Sequence, residues 1–231
     1  MTRRDELAAG LAAVRARIER ACAAAGRRPE EVELIAVTKF FPASDIDLLA
    51  ELGVRHVGEN RHQEAAAKIA ELRHRDQLSV HFIGQLQTNK AAAVARYADV
   101  VHSVDRPRLA DALQRGAHAA GRRLGVLVQV ALDHEEARAG VDPADALLLA
   151  DQVAQAPELD LLGVMAVAPL GGDPGEAFAR LRKVSRGIQA AHPAARWVSA
   201  GMSADLEAAI AHGATHLRVG SAILGSRPPL R

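Results

Sequence analysis

The chain has 231 residues, 49% hydrophobic and 25% charged, proportions that suit a globular protein able to fold without covalent staples. Twenty-nine Lys and Arg against 28 Asp and Glu leave +1, and aromatics are only 3%, which excludes a field recruiting nucleic acid or anionic lipid and a base-stacking surface. The single Cys22 excludes an internal disulfide framework, and no apolar run approaches the ~18 residues of a membrane span; a soluble cytoplasmic protein is expected.

In chain order, the first element is a helix over about residues 3–25. Leu7, Leu11, Val14 and Ile18 recur along one of its faces. An apolar, strand-like run follows at 32–38. Next comes a helix opening on Ser44-Asp45-Ile46-Asp47, a capping-box-like start with Ile46, Leu49 and Leu52 behind it. Further strand-like runs occupy 54–58, 80–84, 100–104, 125–132, 161–168, 197–200 and 216–220. Between them lie helical patterns at 65–72, 91–97, 108–120, 143–156, 175–191 and 204–212. Several strand runs are continuously apolar, as in parallel strands covered on both faces. Eight strand–helix units without a dividing linker predict one (β/α)8 TIM barrel over residues 1–231. An open doubly wound sheet is the runner-up, but no G-x-G-x-x-G or Walker sequence follows any strand.

In a barrel, functional groups gather where strands end, at the C-terminal mouth. Lys39 follows Leu34-Ile35-Ala36-Val37-Thr38 directly, and Glu59-Asn60 follows Val57-Gly58. Gln85 to Asn89 follow the third strand, and His102-Ser103 interrupts the fourth. Met165 closes the sixth, Ser203 and Asp205 follow the seventh, and Arg218 with Gly220-Ser221 ends the eighth. A partly desolvated amine at Lys39 suits carbonyl attack, although a lysine that snorkels to solvent fits the same position. Gly201-Met202-Ser203 and Gly220-Ser221 each precede a helix. Together they suggest a phosphate cradle after strands seven and eight, while singly they read as an N-cap and a turn glycine. A lysine across the mouth from such a cradle describes a site for a phosphorylated aldehyde. Arg218 reads either as a structural ion pair or as a donor to a ring nitrogen. Asp133, Glu135 and Glu136 after strand five could border a site, but read better as a solvated loop. The ten histidines include no H-E-x-x-H, so no metal site is expected, and the missing G-x-S-x-G excludes an esterase elbow.

These motifs resemble the pyridoxal phosphate homeostasis proteins. The resemblance rests on Leu34-Ile35-Ala36-Val37-Thr38-Lys39, Gly58-Glu59-Asn60, the run from His81-Phe82-Ile83-Gly84 through Gln85-Leu86-Gln87-Thr88-Asn89-Lys90, and His102-Ser103-Val104-Asp105. It continues through Gly163-Val164-Met165-Ala166, Gly201-Met202-Ser203-Ala204-Asp205 and Arg218-Val219-Gly220-Ser221-Ala222-Ile223-Leu224-Gly225. It implies a fold-type III barrel like the N-terminal domain of alanine racemase, with pyridoxal 5'-phosphate held as an aldimine on Lys39. It further implies that Ser203, Gly220 and Ser221 hold the phosphate, that Arg218 faces the pyridine nitrogen, and that Asn60 and Met165 line the cofactor. The family's members resemble cofactor carriers in vitamin B6 and amino-acid balance rather than enzymes. Partners would be the cofactor and pyridoxal-phosphate-dependent apo-enzymes, and the protein a monomer or weak dimer. Two positions depart from the family: Arg61-His62 stands where an aromatic often follows Gly-Glu-Asn, and Thr38 replaces the common serine before the lysine. An amino-acid racemase is the alternative, but it needs acid and base on opposite faces of the α-carbon, and the only tyrosine, Tyr97, falls in a predicted helix. A cofactor-free class I aldolase would carry its lysine on a later strand.

Overall fold

A computed structural model describes residues 1–132 and 139–226. Parallel strands β1 (Glu33–Val37), β2 (His56–Glu59), β3 (Ser79–Phe82), β4 (Val100–Val104), β5 (Leu124–Gln129), β6 (Leu159–Met165), β7 (Trp197–Ser199) and β8 (His216–Val219) close a barrel in sequence order. Closure runs through β8 pairing with β1, with Leu34 opposite Leu217 and Ile35 opposite Arg218. Helices α1 (Arg3–Ala24), α2 (Ala43–Glu51), α3 (His62–Ala70), α4 (Ala91–Ala95), α5 (Pro107–Ala119), α6 (Ala146–Ala154), α7 (Pro174–Ala191), α8 (Leu206–Ala211) and α9 (Ser221–Leu224) complete the order. The expected (β/α)8 barrel is the fold observed.

Period-2 alternation sorts each strand into two environments. Val57, Val80, Val101, Val126, Val164, Val198 and Leu217 join the continuous apolar core shared with the helices. The other register faces inward, where a small cluster of Val100, Leu127 and Met165 packs with Leu162 and Trp197. Barrel interiors are usually filled by branched aliphatic layers. Here much of the filling is polar: His81, His102, Ser199, His216 and Arg218 are all buried.

α1 follows the predicted stripe, with Leu7, Leu11, Val14 and Ile18 buried. Thr2 caps it in a capping box with Asp5. Other boundaries shift for local reasons. The Ser44-Asp45 start is not a capping box: α2 begins at Ala43 behind Pro42, and buried Asp45 instead accepts from Arg3 Nε at 3.1 Å and Nη2 at 2.7 Å. β5 ends at Gln129 rather than 132, with Val130 making only an isolated bridge to Val141. β6 starts early, because Leu124 pairs with Leu159, and stops at Met165. α6 starts at Ala146 because Asp142 Oδ1 takes the Ala144 N–H into a turn at 2.8 Å. Asp133, Glu135 and Glu136 lie outside the described residues. Among the described residues no helix is long and apolar enough to cross a membrane, and no group of three His, Cys, Asp or Glu side chains is placed to hold a metal ion.

Candidate functional site

Lys39 stands two residues past the end of β1, half-buried, with Nζ 5.7 Å from the centroid of the Phe40 ring. The turn that carries it is gripped from both sides. Thr38 Oγ1 donates to Glu59 Oε1 at 2.7 Å, and Lys68 Nζ donates to Thr38 O at 2.9 Å. Phe40 N donates to Glu64 Oε1 at 2.5 Å. Lys68 Nζ also reaches Glu59 at 2.6 Å and Glu64 at 3.2 Å, so one buried ammonium joins all three contacts. Burial pushes the Glu59 carboxyl upward, against the pull of the Lys68 ammonium and the hydrogen bonds it accepts. Phe40 holds φ +72, a conformation costly for a large side chain and kept only when the surroundings impose it. The departure at Arg61-His62 has a place here: the Arg61 guanidinium lies 5.6 Å over the Phe40 ring, and His62 stacks on Tyr97 at 5.9 Å. Asn60 follows β2 with its Oδ1 buried and without a partner.

The lysine and the Gly-Ser motifs are neighbours, not opposites. Reading the cradle as lying across the mouth treats the first and last strands as distant, but closure hydrogen-bonds β1 to β8. A Cβ on Gly220 would lie 3.1 Å from Val37 O, so a larger residue here would press the last strand against the lysine strand and make one of them give by a few tenths of an ångström. α9 starts at Ser221, and the first N–H groups of a helix have no partner within it. Ser221 Oγ lies 3.4 Å from Ser203 Oγ, which brings the two motifs together. Ser203 is not an N-cap. α8 begins at Leu206 rather than Ala204, behind Asp205, whose Oδ1 takes the Met202 N–H at 2.6 Å. Gly201, at φ +90, is packed so tightly that a Cβ would meet Ala209 Cβ at 2.6 Å.

Arg218 makes no ion pair with any described residue. Two neutral acceptors hold it: Ser199 Oγ from Nη1 at 2.6 Å and Ala166 O from Nη2 at 2.8 Å. Full burial lowers its pKa to about 10, partly opposed by Asp205, so it stays cationic at neutral pH. These two bonds use two of five N–H donors. Met165, 2% exposed, sits on the inward register packed with Val100 and Leu127.

The expected residues therefore converge on the mouth along β1, β2, β6 and β8 and the two Gly-Ser turns. Gln85, Gln87 and Asn89 are exposed, and His102 turns into the barrel. Sequence reading missed Ser199 and His102 as supports of Arg218, and Lys68 and Glu64 as the grip on the lysine turn. The inward pairing of Trp197 with Ser199 and His216 with Arg218 was a usable signal for the first. Nothing local marks Lys68, which sits on a helix face like any solvated lysine.

The family model described as alanine racemase, N-terminal domain, matches residues 10–228. The pyridoxal phosphate homeostasis protein of Mycobacterium tuberculosis (strain ATCC 25618 / H37Rv) is 45% identical over 97% of this chain and 94% of its own. That of Escherichia coli (strain K12) is 39% identical, over 96% and 97%. Among solved structures, PipY of Synechococcus elongatus PCC7942 with PLP bound superposes with a TM-score of 0.83 at 38% identity, covering 95% of this chain and 100% of that one. Alanine racemase from Corynebacterium glutamicum, at 16% identity and TM-score 0.70 over 99% of this chain and 63% of that one, shares the fold. The chain belongs to the pyridoxal phosphate homeostasis proteins, built on the barrel of the alanine racemase N-terminal domain family.

Proposed function

We propose that this chain binds pyridoxal 5'-phosphate at the barrel mouth and acts as a cytoplasmic carrier in the homeostasis of that cofactor and of amino acids. The pairing of β1 with β8 is the observation that supports this reading, since it puts the end of the strand that leads to Lys39 next to the end of the strand that leads to Gly220 and Ser221, with Arg218 opposite Ile35 in the same ladder. The residues present fit the cofactor. Ser203, Gly220 and Ser221 would take the phosphate, with hydroxyls and helix-start N–H groups as donors. Asn60, with a buried and unmatched Oδ1, and Met165, with an apolar side chain, would line the ring. Lys39 Nζ would add to the aldehyde carbon with loss of one water, giving a reversible covalent hold that keeps a reactive aldehyde from other amines. Arg218, cationic and donor-only, would face the ring nitrogen and keep it unprotonated. That weakens the cofactor as an electron sink, which favours holding it over carbanion chemistry. The whole barrel, with α1 across it, works as one unit, a monomer or weak dimer, releasing the cofactor to apo-enzymes. PipY, solved with PLP bound, supports the cofactor assignment.

The test is near-visible absorption of protein loaded with pyridoxal 5'-phosphate, repeated for Lys39→Ala and after borohydride. A yellow band in the native protein, fixed by borohydride and missing in Lys39→Ala, is expected. A native protein that stays colourless overturns the reading. Interconversion of D- and L-amino acids by loaded protein would favour the racemase over the carrier.

A further inference from the structure

The barrel interior holds a row of polar side chains that the mouth does not use. Arg218 Nη1 donates to Ser199 Oγ at 2.6 Å, and that hydroxyl lies 3.0 Å from His102 Nδ1. His102 Nε2 is 2.8 Å from His81 Nδ1, and His81 Nε2 is 2.9 Å from His56 Nδ1. β8, β7, β4, β3 and β2 thus contribute one member each. His56 ends the row in a cavity of about 210 Å³ under the barrel, lined also by Glu33, Arg15 and Arg55.

The direction of this row follows from Arg218. A guanidinium can only donate, so Ser199 Oγ must accept from it. Ser199 is fully buried, and the described residues give its hydroxyl hydrogen one other polar neighbour, His102 Nδ1. An unmade bond there would cost about 1–3 kcal/mol of desolvation. His102 Nδ1 is therefore an acceptor, and its proton sits on Nε2. That proton points to His81 Nδ1, which places the His81 proton on Nε2, toward His56 Nδ1. Ser79 Oγ, 3.1 Å from His81 Nε2, shares the same proton without reversing the order.

We propose that Ser199, His102, His81 and His56 form a one-way hydrogen-bond relay, its polarity imposed by Arg218. The relay positions that guanidinium and joins it to the cavity beneath the barrel. Ser199 and His102 are positioning residues, not catalytic ones. The inference rests on the proposed function only for what Arg218 faces. The relay needs neutral rings. Burial holds His81 and His102 well below the ordinary imidazole value, with neighbouring histidines adding to the effect, and burial lowers His56 despite Glu33. The other groups facing the row are Glu33 Oε2, 3.7 Å from His56 Nε2, His216, with its ring 6.3 Å from His56, and Trp197, stacked 6.2 Å from His81.

The experiment is imidazole nitrogen NMR on ¹⁵N-labelled, cofactor-free protein at pH 7.5. His56, His81 and His102 are each expected as neutral rings protonated at Nε2. In Ser199→Ala the enforced order is lost, so the shifts of all three rings should move toward the average of the two tautomers, out to His56. Arg218→Met, which keeps the hydroxyl but removes the donor that orients it, should give the same averaging and serves if Ser199→Ala does not fold. A native His102 protonated at Nδ1, or unchanged His81 and His56 in both variants, overturns the relay. Adding pyridoxal 5'-phosphate to the native sample separates the two readings: a colourless sample overturns the cofactor site, while the imidazole spectra decide the relay.

Discussion

Lys68 shows how much one side chain can carry. Its ammonium is the cation paired with the buried Glu59 carboxylate, and it also holds the Thr38 carbonyl next to Lys39. Lys68→Met would leave a carboxylate buried without its cation, which costs about 3–5 kcal/mol. A urea midpoint should fall accordingly, and Glu59→Leu combined with Lys68→Met should recover most of the loss. If the double variant unfolds at the same midpoint as Lys68→Met, an unpaired Glu59 carboxylate is not what destabilises the single variant. Lys39 itself was legible because it ends an apolar run. Lys68 was not, because its partners come from residues 4, 9 and 30 positions away.

The elements act as brackets for the site. α1 crosses the end of the chain so closely that a Cβ on Gly10 would lie 2.6 Å from Ile223 O in α9. Gly10→Val should push α9, and with it Ser221, away from the mouth. We expect roughly a tenfold rise in Kd for pyridoxal 5'-phosphate, equivalent to about 1.4 kcal/mol. Pyridoxal, which lacks the phosphate, should bind unchanged; titrations followed by absorption compare the two, and equal weakening would remove α9 from the phosphate cradle. The α1 stripe was visible at i, i+4, i+7 and i+11 because one face must be apolar. The start of α8 was not, since Ser203 and Asp205 are both good caps, and only the fold shows that Asp205 takes the Met202 N–H.

For the whole molecule, a polar barrel interior predicts acid sensitivity. Burial pushes His56, His81, His102 and His216 downward, His216 to about 3. Below about pH 6.5 the unfolded chain therefore binds more protons than the folded one. Stability from these rings is complete above that pH and is lost as pH falls; His216 alone gives up about 2 kcal/mol between pH 6.5 and 5. Glu59, pushed upward, has the opposite sign, its contribution declining as pH rises past its unfolded value. Thermal melts should show Tm dropping from pH 7.5 to 5, and a flat or rising profile would show that the rings are not buried as neutral groups.

The order of strands and helices, the barrel they form and the strand ends that bear Lys39, Asn60, Met165 and Arg218 all follow from the sequence by itself, because apolar periodicity is a local property. Tertiary structure alone decided that the first and last strands are neighbours, which brings Lys39 and the Gly220-Ser221 turn, far apart in the chain, to one side of the candidate site. It also decided that three histidines and a serine from four strands line up behind Arg218. Such contacts depend on barrel closure and register, which no single segment encodes, and an inward histidine is spaced like any other residue until the strand beside it is known.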